Sequence, residues 1–169
     1  MKIDHKKAKL IKERTEHRYS SDSEDQKGSV RADLSYIDGM KIQSKIKEFT
    51  LTIDESDESG GNDNGPNPLS YFLTGACSCL MIQYLRLAII NEFNIKKLNI
   101  TARGHFEMKV KGVFTKIIYD VYLISDENTE KIKNIAGEAE NLCFIHNTLI
   151  KAGVKMETNL HLNGKLLIF

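Results

Sequence analysis

Tryptophan is absent from this chain, and 169 residues hold only two prolines and three cysteines. So few cysteines, behind a charged N-terminus with no apolar leader, exclude a disulfide-stapled framework and point to reduced thiols in a cytoplasmic protein. Neither charge sign dominates: 24 basic residues face 23 acidic ones, for a formal net charge of +1. That balance offers no basic field for nucleic acid, which is not an expected partner. The run Lys6-Lys7-Ala8-Lys9, with Lys12 and Arg14, is offset by Glu13, Glu16 and the acidic stretch 22–25. No apolar run approaches the roughly 18 residues of a membrane span, since Thr74, Gln83 and Arg86 interrupt 72–90, so no membrane partner is expected. Also missing are internal repeats, a glycine-rich phosphate loop, a zinc-protease motif and a serine-hydrolase elbow.

What remains is enough for one domain, 1–169, with a core of its own. Within it, 1–27 reads as an extension of uncertain structure, and Leu10-Ile11 offers an N-terminal strand. Segments 30–36 and 40–53 read as strands joined at Asp38-Gly39, a hairpin turn signal. In the second, Ile42, Ser44 and Ile46 hold one parity while Phe49, Leu51 and Ile53 take the other. A bulge or a sheet-to-sheet crossover near Glu48 would account for the switch. Residues 54–66 are almost wholly Asp, Glu, Ser, Gly and Asn, a solvated loop whose acidic spacing fails the EF-hand pattern. Asn67-Pro68 opens a helix expected to reach about Glu92, apolar on nearly all sides and therefore buried on most of them.

Leu98, Ile100, Ala102, Gly104, Phe106, Met108 and Val110 then alternate with polar residues in a strand with one wet face. A second strand runs 113–124. Asp126 is the expected cap of a helix carrying Ile132, Ile135, Ala136 and Ala139. Cys143 follows it, a further helical turn fits 147–152, and 154–162 alternates as a last strand. The order defines an α+β domain.

The chemistry-bearing residues are the thiols. Cys77 and Cys79 lie in the long apolar helix, two positions and hence roughly 200° apart, so they face opposite sides. Cys77 reads as a small core residue. Cys77, Cys79, Cys143 and His146 could form a zinc set only by converging tetrahedrally, and the opposed directions of Cys77 and Cys79 argue against it. His146 reads as a helix-start or pocket-lining residue, and His105 and His161 fall in the wet phase of their strands. Arg86, seven residues after Cys79, shares its helix face at a rise of about 10.5 Å. It reads as paired to an acid or a backbone carbonyl.

The segments Gly65-Pro66-Asn67-Pro68-Leu69-Ser70 through Cys79-Leu80, and Cys143-Phe144-Ile145-His146-Asn147-Thr148-Leu149, resemble the OsmC/Ohr family of osmotically inducible and organic-hydroperoxide-reducing proteins. The resemblance covers most of 28–162. It implies an OsmC-like fold, in which a long central helix packs against antiparallel β-sheets in an intertwined homodimer. It also implies a peroxidase cycle needing no metal or other cofactor: Cys79 attacks the hydroperoxide and becomes a sulfenic acid, Cys143 resolves it as a disulfide, and an external dithiol restores both. Three positions depart from the family pattern. Leu69 stands where active members carry a glutamate, Phe144 follows Cys143 in place of proline, and the candidates for the arginine that glutamate would hold, Arg18 and Arg31, both lack its Gly-Gly-Arg context. With Leu69 there, the alternative is a non-catalytic OsmC-like protein that binds a small apolar ligand at the dimer interface.

Overall fold

A computed structural model describes residues 4–19, 28–110 and 112–168. The chain divides into two compact units, one of residues 1–21 and 73–169, the other of residues 22–72.

In the first unit the N-terminal segment is a helix, α1 (His5–Tyr19), and not the strand expected around Leu10-Ile11. The residues decide it: Lys, Arg, Glu, Ala and Leu are strong helix formers, and no β-branched run opposes them. Asp4 starts the helix, its Oδ1 accepting from the Lys6 amide at 2.7 Å, and Lys9 pairs with Glu13 one turn on.

The second unit is a three-stranded antiparallel sheet of β1 (Asp33–Asp38), β2 (Lys41–Ile46) and β3 (Phe49–Ile53), in that order. The parity switch near Glu48 is neither bulge nor crossover. Ile46 pairs with Phe49 across a tight turn in which Lys47 takes φ 54°, so the expected long strand is two strands of a hairpin. The loop 54–66 is built around a buried carboxylate. Asp54 Oδ1 accepts from the Glu55 amide at 2.9 Å, and Oδ2 from the amides of Asn62 and Asn64 at 3.2 and 3.1 Å. An expected solvated loop is thus wrapped on one buried side chain.

Helix α2 (Pro68–Ile90) begins where Asn67-Pro68 places it, with Asn67 Oδ1 accepting from the Ser70 amide at 2.9 Å. Contrary to the sequence expectation, it is long and apolar enough by length and composition to cross a membrane. The core helix of a globular protein meets the same criterion, and α2 supplies Ala76, Leu80, Tyr84, Leu87 and Ala88 to the core of the first unit.

That core lies against a four-stranded sheet ordered β4 (Ile95–Glu107), β5 (Val113–Ser125), β6 (Lys155–Leu162), β7 (Lys165–Leu167). The alternation read in β4 holds as far as Gly104, with Leu98, Ile100, Ala102 and Gly104 inward, but fails beyond it: Phe106 and Met108 are exposed, and Met108–Val110 is a short 3-10 turn outside the strand. At Gly104 a Cβ would stand 2.4 Å from the Phe114 ring, so only glycine admits that ring. β5 pairs with β6 in parallel, a departure from an all-antiparallel sheet. The cause is the crossover between them, α3 (Thr129–Asn141) and α4 (Phe144–Lys151), which returns the chain in the same direction. α3 buries Ile132, Ile135, Ala136 and Ala139 as expected, but its cap is Asn128, whose Oδ1 accepts from the Lys131 amide at 2.8 Å. Asp126 instead pairs with Lys96.

Candidate active site

The turn between α3 and α4 is the structural reason for the site. Cys143 is the residue before α4, fully buried, and its position sets the first amides of that helix facing α2. Cys79, half-buried on α2, meets them there. The Cys143 thiol donates to the Cys79 sulfur, and the backbone amides of Ile145 and Phe144 do the same. Unpaired amides at a helix start favour negative charge, so the arrangement suits a thiolate.

The titration of the pair follows. Cys79 is lowered to about 6, chiefly by the hydrogen bond from Cys143, against burial that raises it. The amides of Ile145 and Phe144 and the charge of Arg86 add smaller lowering contributions. Cys143 moves up, because it supplies that hydrogen bond and because it is buried. Ionisation is therefore favoured at Cys79 and disfavoured at Cys143.

A cavity of about 310 Å³ opens on Cys79, lined by Gly75, Ser78, Ile82, Gln83, Arg86 and Phe144. Five of these six belong to one stripe of α2 at three- and four-residue spacing, and Phe144 closes the side from α4.

Cys77 lies elsewhere. Its sulfur is 3.9 Å from the Ile100 carbonyl on β4, it packs against the core, and burial raises its thiol. His146 is buried behind Cys143 and does not line the cavity. Its ring stacks on Tyr119 with centroids 6.2 Å apart, and burial lowers its basicity. Among the described residues no group of three or more His, Cys, Asp or Glu could hold a metal ion. His105 is exposed, whereas His161 is half-covered by a stack on Tyr122 at 4.6 Å.

Of the arginines proposed from sequence, the Arg18 side chain lies outside the described residues, and Arg31 is exposed and bonded to Asp33 at 2.6 Å. The cation at the cavity is Arg86, which sequence reasoning assigned to an acid or a backbone carbonyl. Its Nη1 donates instead to the side-chain carbonyl Oε1 of Gln83 at 3.4 Å. The spacing of Cys79, Ile82, Gln83 and Arg86 on one stripe was the available signal.

The fold and this paired-thiol site define an α+β thiol protein of OsmC type. The sequence model for OsmC-like protein matches residues 60–159, and the chain belongs to that family. A Haloferax volcanii protein named only as uncharacterized is 27% identical over 113 residues, 66% of this chain and 80% of that one. An OsmC-like protein from Mycoplasma pneumoniae superposes with a TM-score of 0.73 at 18% identity, over 81% of this chain and 99% of that one. An organic hydroperoxide resistance protein from Elizabethkingia anophelis, solved with thiocyanate bound, superposes with a TM-score of 0.62 at 14% identity, over 82% of this chain and all of that one.

Proposed function

We propose that this protein is a thiol-dependent peroxidase that reduces organic or inorganic hydroperoxides in the cytoplasm, working as a homodimer. The observation that carries this reading is a half-buried Cys79 sulfur, open to a cavity and beside the buried Cys143 thiol, in surroundings that lower its pKa. Thiolate, access and resolving thiol are the three requirements of the chemistry. The Cys79 sulfur attacks the terminal oxygen of ROOH, the O–O bond breaks, and the departing alkoxide takes a proton from water to give ROH. Cys143 then attacks the Cys79 sulfenic sulfur, and the displaced hydroxide leaves with the Cys143 proton as water. Two electrons from an external dithiol reduce the bridge.

The homodimer rests on apolar surface. In the first unit, Ile82 is exposed on α2, and Phe144 and Ile150 are exposed on α4. A second copy would cover such a surface. Sedimentation at micromolar concentration should give twice 19.2 kDa.

Stoichiometric tert-butyl hydroperoxide should consume two thiols and leave a Cys79–Cys143 bridge found by peptide mapping. Cys143→Ser should stop at a trappable sulfenic acid, and Cys79→Ser should be inert. Peroxide that leaves both thiols free in the folded protein overturns the reading. The position of Leu69, in place of a carboxylate, would then favour a non-catalytic protein binding a small apolar ligand.

A further inference from the structure

Arg86 is the charged wall of the Cys79 cavity. It stands seven residues beyond Cys79 on the same stripe of α2, about 10.5 Å along the axis, so it faces the cavity volume and not the sulfur itself. Its anchor is Gln83, buried to 2% exposure, whose carbonyl accepts one guanidinium N–H at a long 3.4 Å. Among the described residues no carboxylate pairs with it. A guanidinium presents five donors in a planar fork that matches a carboxylate, and four of them are left for a ligand. Along α2, Ile82 and Gln83 lie between Cys79 and Arg86, and Phe144 lines the cavity from α4. The cavity thus has a nucleophile and an anion receptor on one stripe of α2, with apolar side chains of Ile82 and Phe144 in its wall.

We infer that Arg86 makes this an anion-selecting pocket, so that Cys79 reacts preferentially with electrophiles carrying a carboxylate, and that its hydroperoxide substrates belong to that class. The second half rests on the peroxidase reading; the first does not. Arg86 also offsets the cost of bringing an anion toward a thiolate. At separations of several ångströms in a partly solvated cavity, one unit charge changes the encounter by about three- to tenfold.

The test uses iodoacetate and iodoacetamide, which present the same carbon to the thiolate, form the same S–C bond and lose the same iodide, but differ in charge. At pH 7.5 and low ionic strength, the ratio of the iodoacetate to the iodoacetamide rate at Cys79, followed by peptide mass spectrometry, should fall three- to tenfold in Arg86→Met. It should be retained in Arg86→Lys, and it should drop with added salt in the wild type and in Arg86→Lys but not in Arg86→Met. A ratio unchanged in a folded Arg86→Met protein overturns the inference. For substrates, a carboxyalkyl tertiary hydroperoxide should be reduced with a lower KM than its methyl ester, and Arg86→Met should remove that difference in KM between acid and ester, whatever rate change the two share. Equal KM values for acid and ester in an active wild type would sink the substrate class. A wild type inert to both peroxides, with the alkylation ratio still dependent on Arg86, would remove the peroxidase reading and keep the pocket.

Discussion

The Cys143 thiol donates its proton toward the Cys79 sulfur, so two residues distant in sequence act as one acid–base pair. Neither cysteine has this property alone: one carries the charge because the other keeps the proton.

The pH dependence of labelling follows from that division. At about 6 the Cys79 thiol is half ionised, with the thiol dominant a unit below that value and the thiolate dominant a unit above it. Iodoacetamide labelling of Cys79 should therefore rise from pH 5 to 7 and be flat from 7 to 9, the range in which an ordinary thiol near 8.5 is still rising. Cys77, raised by burial, should label slowly throughout. Cys143→Ala removes the largest lowering cause, so the Cys79 midpoint should move up toward the ordinary range. A Cys79 profile unaltered in that variant would contradict the shared proton.

Asp54 should matter out of proportion to a loop residue. Three backbone amides converge on its buried carboxylate. Asp54→Ala leaves them without an acceptor and should cost about 3 kcal/mol, while Asp54→Asn, which keeps one oxygen, should cost roughly half as much. Urea denaturation of the three proteins measures it.

The Arg103–Asp120 pair should respond unequally to its two halves. Arg103 Nη1 lies 2.5 Å from the Asp120 Oδ2, an ion pair outside strict hydrogen-bond angles, while Arg103 Nη2 and Asn159 both donate to Oδ1. The Asp120 side chain is 6% exposed and that of Arg103 52%. Arg103→Met strands a buried carboxylate and should cost about 3 kcal/mol. Asp120→Ala frees an arginine that can turn to water and should cost about 1 kcal/mol. Equal losses would argue against this asymmetry.

Tyr119 carries a buried hydroxyl with no hydrogen-bond partner among the described residues. Desolvation of that group is already a cost in the native state. Tyr119→Phe should therefore melt at the wild-type temperature or slightly above it, by up to about 1 kcal/mol of added stability.

Much of the fold was legible because it follows local rules. The Asn67-Pro68 start of α2, the inward parity of β4 and the buried face of α3 are set by capping and periodicity, which neighbours in sequence determine. α1 was misread because its apolar pair, Leu10-Ile11, lacks a helical repeat, and the signal lay in the propensities of its charged residues. Asn128 and Asp126 are equally good caps on paper, and it is the bond from Lys96 that takes Asp126 out of the competition. At the site, the two thiols stood out by type. The part of Arg86 did not, since spacing places a side chain on a face but not what that face meets: the cavity beside Phe144 exists only because the α3–α4 turn arrives there.

That turn has a thermodynamic consequence. A bond between Cys79 and Cys143 would close a loop containing β4, β5 and α3, and shortening the unfolded chain by that much is worth about 4 kcal/mol in the chain-entropy account. Folding and oxidation are then linked through one cycle. Whatever the bridge added to the fold, the fold would return as resistance of the bridge to reduction, so a dithiol that opened it would work against the tertiary structure.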